Sequence, residues 1–282
     1  MSALVTRFAP SPNGFLHLGH AFSALTAWDA ARAADGRFLL RLEDIDGGRA
    51  RTELEAAIFE DLAWLGVAWE APVRRQSEHF GEYALALARL DDAGLLYPCF
   101  CTRREIEEAL RAPHGPTGGA YPGTCRRLDP PTRAAAVASG RPFARRLDLA
   151  LALSRTGPLA FEESARRVVV DPTRLHAEIG DVVLARKDVP ASYHLAVVHD
   201  DALQGVTVVI RGEDLAFATP LHRVLQALLD LPTPSYRHHR LLTDASGKRF
   251  AKRDGAATLR ALRAAGVTPA EVRARVELAR SG

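Results

Sequence analysis

Apolar positions along the chain follow two rhythms. Residues 4–8 (LVTRF) form a short apolar run that ends in the turn PSPNG, and LGHAFSALTAWDAARAAD then spaces its apolar residues as one helix face does. A strand, a turn and a helix are predicted. FLLRLED (38–44) reads as a second buried strand, ELEAAIFEDLAWLG as a helix, and EYALALARLDDAG as a helix ending near Gly94. Residues 99–147 interrupt this with APHGPTGGAYPGTC, whose glycines and prolines cannot continue a helix, so an insertion is expected there. The pattern resumes with DVVLA (181–185), YHLAVVHDDAL (193–203) and VTVVIRGEDL (206–215), followed by the helical LHRVLQALLDL. After RHHRLLTDASGKRFAKRDGA two short helical stretches remain. Alternating strands and helices imply a Rossmann-like α/β fold built on a doubly wound, mainly parallel sheet. The expected division is 1–98 and 148–236 as two halves of one domain, 99–147 as the insertion, and 237–282 as a loop with a short helical cap.

Composition leaves this picture intact. The 282 residues are 47% hydrophobic and 25% charged, which suits a globular chain and argues against disorder. No uncharged apolar run reaches the length of a membrane span, and the N-terminus lacks the charged-then-apolar layout of an export signal. A cytoplasmic protein is expected, and a monomer. The net charge of +3 is unevenly spread: residues 237–282 hold eleven Lys/Arg against four Asp/Glu, a local +7, which leaves about −4 for the rest. That basic end either faces a polyanion or is a solvated helix surface.

The chemistry concentrates in RFAPSPNGFLHLGH (7–20). In doubly wound proteins ligands bind beyond the carboxyl ends of the strands, where this turn lies. The following helix offers free N–H groups and a positive dipole end to a phosphate. His17 and His20 stand ready to donate to phosphate oxygens as charge builds in a displacement. The spacing matches neither the dinucleotide fingerprint nor the P-loop.

PSPNGFLHLGH resembles the HIGH signature of class I aminoacyl-tRNA synthetases, with His17, Leu18, Gly19 and His20 as the tetrapeptide. Four segments in order, RFAPSPNGFLHLGH, LRLEDID, ASYHLAVVHDD and VVIRGEDL, resemble glutamyl-tRNA synthetases, and RFAKR (249–253) stands in the place of the family's KMSKS loop. Arg249 and Ala251 depart from that loop, so only Lys252 carries over. The resemblance implies His17, His20 and Lys252 as the catalytic set, with Gly19 beside them at ATP and Mg²⁺ bridging phosphates. It also implies a glutamate pocket: Arg7 and Arg211 on substrate carboxylates, Glu43 on the α-ammonium, Tyr193 on the side chain, and Ala9 and Ser11 lining the turn. Planar guanidinium forks suit the carboxylate task. Val197 replaces the asparagine of the glutamyl enzymes, which removes one amide from the expected pocket.

Cys99, Cys101 and Cys125 fall in one 27-residue window. A clustered odd set points to a structural Zn²⁺ rather than to disulfides, and three thiolates need a fourth ligand. General zinc chemistry offers His114, while three small buried thiols without metal are the bland reading. The pattern C-x-C-x₁₉-Y-x₃-C resembles the zinc element of truncated glutamyl-synthetase paralogues, which implies Tyr121.

Those paralogues, the glutamyl-Q branch of the family, also share the early stop after the KMSKS-like loop, so no anticodon-binding domain is expected. The resemblance implies glutamate activation without tRNA, then transfer to queuosine in the anticodon stem-loop of tRNA(Asp), with no membrane partner. Two alternatives are a minimal glutamyl-tRNA synthetase charging the 3′ end of tRNA(Glu) and a non-catalytic RNA-binding paralogue.

Overall fold

The computed structural model describes residues 3–102, 104–106, 120–242 and 257–281. Lys252 and His114 lie outside the described residues. β1 (Val5–Phe8), β2 (Arg37–Leu42) and β3 (Glu70–Arg75) form one parallel ladder in the order β1-β2-β3. A second ladder, in the order β7-β6-β10-β9, is built from β6 (Ala160–Glu163), β7 (Arg166–Val169), β9 (Val208–Gly212) and β10 (Ser235–His239). Within it β9, β10 and β6 run parallel and β7 turns back antiparallel.

The two ladders meet at β1 and β9. Thr207 donates its N–H to the Val5 carbonyl at 3.0 Å, and its hydroxyl receives the Val5 N–H at 2.9 Å. Beyond that point β1 and β9 share no ladder, so a crevice opens toward their carboxyl ends. This is the switch point of a doubly wound sheet, with β2 on one side of β1 and β9 on the other.

Helix α1 (Leu18–Ala33) covers one face of this sheet, packing Phe22 and Leu25 with Phe8, Leu40, Val208 and Ile210. Helices α2 (Thr52–Trp64), α9 (Leu259–Ala264) and α10 (Pro269–Ser281) contribute Ile58, Leu62, Leu259 and Val272 to that layer. On the other face lie α3 (Phe80–Asp92), α5 (Leu149–Thr156), α6 (Pro172–Glu178), α7 (Tyr193–Leu203) and α8 (Thr219–Leu228), around Tyr83, Leu195, Leu221 and Leu225. Burial of these apolar stripes at roughly 25 cal/mol per Å² is what holds each helix to the sheet.

DVVLA corrects one expectation. Its strand, β8 (Val183–Ala185), belongs to a separate antiparallel sheet with β4 (Leu96–Cys99) and β5 (Ala144–Leu147), not to the parallel one. Residues 99–147 thus begin and end on paired strands, with α4 (Pro130–Ala138) between. That sheet is tied to its surroundings through Asp181, which accepts from the Tyr97 hydroxyl at 2.6 Å, Arg126 at 3.1 Å and the Leu149 N–H at 3.0 Å.

Candidate active site

Strand alternation sorts the charged residues before any contact is considered. On β1, Thr6 and Phe8 face α1 while Val5 and Arg7 face the α7 layer; Leu39 and Arg41 on β2, and Val209 and Arg211 on β9, fall on that same face. Three arginines therefore share one side of the sheet near the carboxyl ends of neighbouring strands. All are buried.

They are compensated differently. Arg7 grips Asp201 with two bonds, Nε at 3.0 Å and Nη2 at 3.2 Å, while Arg41 Nη1 approaches the same carboxylate at 2.8 Å. Burial opposes the Asp201 charge, but these two guanidinium groups hold its carboxyl below the usual range. Asp200, the next residue on α7, accepts from Arg74 Nε, Gln76 and the Tyr83 hydroxyl, each at 2.9 Å. Arg211 has only neutral partners: His238 at 3.2 Å, His222 at 3.3 Å, Tyr193 at 3.4 Å and Thr219 at 2.8 Å. Among the described residues no carboxylate pairs with it.

Glu43 shows the opposite imbalance. Its N–H donates to the Pro10 carbonyl at 3.0 Å, which fixes the PSPNG turn against the end of β2. Its carboxylate has one long contact, 3.5 Å from Arg41, and burial pushes its carboxyl up. Arg211, Glu43, Arg7, Ala9 and Tyr193 all line one cavity of about 580 Å³. Burial likewise drives the Tyr193 phenol up to about 12, so it stays a hydroxyl.

His17, Gly19 and His20 line the same cavity. His17 is the N-cap of α1: its Nδ1 accepts the Gly19 N–H at 3.1 Å, and His20 Nδ1 accepts the His17 N–H at 3.1 Å. This is a capping box made of imidazoles, and it places the proton of each neutral ring on Nε2. A Cβ on Gly19 would sit 3.0 Å from the His17 ring and press on that imidazole. Downstream, the Leu259 N–H donates to the Leu16 carbonyl at 2.8 Å, and Leu242 lines the cavity, so both flanks of the stretch that contains Lys252 are held at the cleft.

The cleft thus brings together two imidazoles, a cation without a carboxylate partner among the described residues and a carboxylate with one long contact. Comparison with known proteins identifies the family. The family model for the catalytic domain of class I tRNA synthetases (E and Q) matches residues 3–279. A glutamyl-Q tRNA(Asp) synthetase of Rhodobacter capsulatus is 51% identical over 279 residues, covering 96% of this chain and 98% of that one. The chain belongs to the glutamyl-Q tRNA(Asp) synthetase family, within the class I tRNA synthetases. A Nocardia farcinica member is 47% identical, covering 94% and 81% of the two chains. The glutamate–tRNA ligase of Aquifex aeolicus is 38% identical, and this synthetase spans 55% of its length. The crystal structure of glutamate-tRNA synthetase from Elizabethkingia anophelis superposes with a TM-score of 0.77 at 26% identity, over 90% of this chain and 53% of that one.

Two positions that the resemblance places at the pocket do not line this cavity. Ser11 lines a smaller neighbouring cavity of about 100 Å³, which also touches Glu43. Val197 is buried at 1% exposure, one turn beyond Tyr193 on α7. Other residues went unnoticed in the sequence. Asp201 fixes Arg7 and is shared with Arg41, while Ser23 bonds His239 at 2.8 Å across the cleft from α1 to β10. Their one sequence signal was charge inside apolar runs, as in FLLRL and LAVVHDD.

The three cysteines converge. Cys99, Cys101 and Cys125 place their sulfurs within 4.8 Å of one another, and the Tyr121 hydroxyl lies 3.4 Å from both Cys99 and Cys101. Cys101 and Cys125 are 3.4 Å apart, and the Phe100 N–H donates to the Cys125 sulfur at 3.4 Å. A tetrahedral zinc site with bonds of about 2.3 Å spaces its sulfurs by roughly 3.8 Å, so this donor set fits the ion with small adjustments. Among the described residues no helix is long and apolar enough to cross a membrane.

Proposed function

We propose that the synthetase activates glutamate with ATP, without needing tRNA for that step, and then esterifies it to the cyclopentenediol of queuosine in the anticodon of tRNA(Asp). One observation carries the amino-acid assignment: a buried cation that meets no carboxylate among the described residues, Arg211, and an under-paired carboxylate, Glu43, face the same cavity. Buried charges this poorly matched are costly until a ligand of opposite charge arrives. A substrate with an ammonium and a side-chain carboxylate satisfies both. Tyr193, bonded to Arg211, marks the side-chain end of the pocket, and Arg7 stands beside it on β1.

The substrate α-carboxylate then attacks the α-phosphorus of ATP in line. A carboxylate oxygen–phosphorus bond forms, and the bond to the diphosphate breaks. His17 and His20, with their Nε2 protons set by the capping box, donate to the phosphate oxygens as charge grows there. Lys252 adds a cation on the diphosphate side. No enzyme nucleophile takes part, and rate comes from positioning and charge stabilisation. Mg²⁺ enters with ATP as part of the nucleotide substrate. Cys99, Cys101, Tyr121 and Cys125 would hold a structural Zn²⁺, which supplies cross-linking of residues 99–125 and no reacting group. The division into catalytic halves 1–98 and 148–236, insertion 99–147 and basic segment 237–282 belongs to the same reading, with the segment contacting RNA phosphates.

The test has two stages. Labelled diphosphate should exchange into ATP with glutamate alone, and much less with glutamine or aspartate; equal exchange with all three removes the amino-acid assignment. Labelled glutamate should then transfer to queuosine-containing tRNA(Asp) but not to its unmodified transcript. Transfer to the 3′ end of tRNA(Glu) instead would replace the acceptor.

A further inference from the structure

Arg211 is surrounded by imidazoles to which the chemistry above assigns no step. Guanidinium groups only donate, so His222 Nδ1 must accept from Arg211 Nη1 at 3.3 Å. That puts the His222 proton on Nε2, which donates to His194 Nδ1 at 3.1 Å. His238 is fixed from the other side: its Nδ1 proton goes to Glu163 at 2.8 Å, and its Nε2 accepts from Arg211 at 3.2 Å. Burial, reinforced by Arg211, keeps His222 uncharged and brings His194 down to about 4. His222 is 2% exposed and does not line the cleft, so it acts on a ligand only through Arg211.

We propose that His222 is a positioning residue that sets the charge specificity of the amino-acid pocket: it holds Arg211 in place with a neutral acceptor and thereby leaves the whole guanidinium charge to the side-chain carboxylate of the substrate. The inference rests on the reading that Arg211 meets that carboxylate. An acidic residue in the same place would hold the arginine equally well and cancel its charge, as Asp201 does for Arg7. A neutral amide substrate cannot repay the desolvated guanidinium, so glutamine is rejected by the charge it lacks rather than by its shape.

Diphosphate exchange with glutamate and with glutamine on wild type, His222→Gln, His222→Leu and His222→Glu tests this. His222→Gln retains an acceptor and should keep the glutamate KM within about 3-fold. His222→Glu should raise the glutamate KM by about 30-fold or more, leave kcat within a few-fold, and raise the glutamine-to-glutamate ratio of kcat/KM at least 10-fold. An unchanged ratio in a folded His222→Glu overturns the proposal. If that variant does not fold, His222→Leu decides: a KM at least 10-fold above that of His222→Gln supports the role, and equal values overturn it. Wild type that does not distinguish glutamate from glutamine brings down the underlying reading of Arg211 instead, whatever the variants do.

Discussion

Two buried arginines on neighbouring strands, Arg7 on β1 and Arg211 on β9, differ in what surrounds them. Arg7 is 4% exposed and locked to Asp201, which Arg41 shares. Arg211 is 5% exposed and, among the described residues, meets a phenol, a hydroxyl, two imidazoles and the Tyr236 ring, with no carboxylate. The first is matched within the fold and contributes to holding it together; the second is held in position but left electrically open. A residue type alone does not say which role a buried charge plays. The sign of its neighbours does.

The comparison breaks most directly at Arg211. Arg211→Met keeps the bulk and removes the charge, and should lower glutamate-dependent kcat/KM by about 1000-fold, equivalent to roughly 4 kcal/mol. Its thermal midpoint without ligand should stay level or rise, because an uncompensated buried cation costs stability. Arg7→Met should behave differently in urea unfolding: Asp201 loses one of its two cationic partners, and the fold should lose about 2–3 kcal/mol. A matched loss in both variants would erase the distinction.

The pH dependence sharpens it with a smaller effect. His194 is brought down from its ordinary value to about 4 by burial and Arg211, so the unfolded chain binds its proton first. That contribution is complete above the unfolded pKa of about 6.5 and is lost as pH falls toward 4. Between pH 7 and 4.5 the wild type should lose about 2 kcal/mol more than His194→Gln, measured by urea unfolding at each pH. Asp200 and Asp201, held low against burial by their basic partners, work in the same direction in both proteins and cancel from the difference.

Asp61 supplies the smallest effect and a control away from the cleft. It is fully buried on α2 with no hydrogen bond to either oxygen, Arg263 is 3.8 Å away, and burial pushes its carboxyl up to about 6. A raised carboxyl costs stability above that pH. Asp61→Asn should therefore stabilise the fold by about 1 kcal/mol at pH 7 and by much less at pH 4, where the folded carboxyl is protonated and the unfolded one is about half so. Exchange activity should not change.

Much of this arrangement was legible in the residues themselves. The opening strand, turn and helix, and the second strand leading into Glu43, announce themselves by periodicity and by a proline- and glycine-marked turn. What was hidden depends on distance or on an atypical turn. Asp201 meets Arg7 across 194 positions, and no local pattern couples them. Val197 lies one turn beyond Tyr193 on α7 and is buried among core residues, a depth that the motif around it does not encode. The hairpin of β6 and β7 turns on Ser164 and Ala165, both at positive φ (48° and 64°), without the glycine or asparagine that marks such turns. DVVLA read as a strand, but apolar content does not encode whether a strand runs parallel or antiparallel.

The seam between Val5 and Thr207 has a consequence for synthesis. The cleft takes Arg7 and Glu43 from an early stretch of the chain and Arg211 from one about 200 residues later. A growing polypeptide that has not yet emerged as far as β9 lacks Thr207 to close this seam and lacks Arg211, so the cation that no described carboxylate offsets is the late-made part of the cleft.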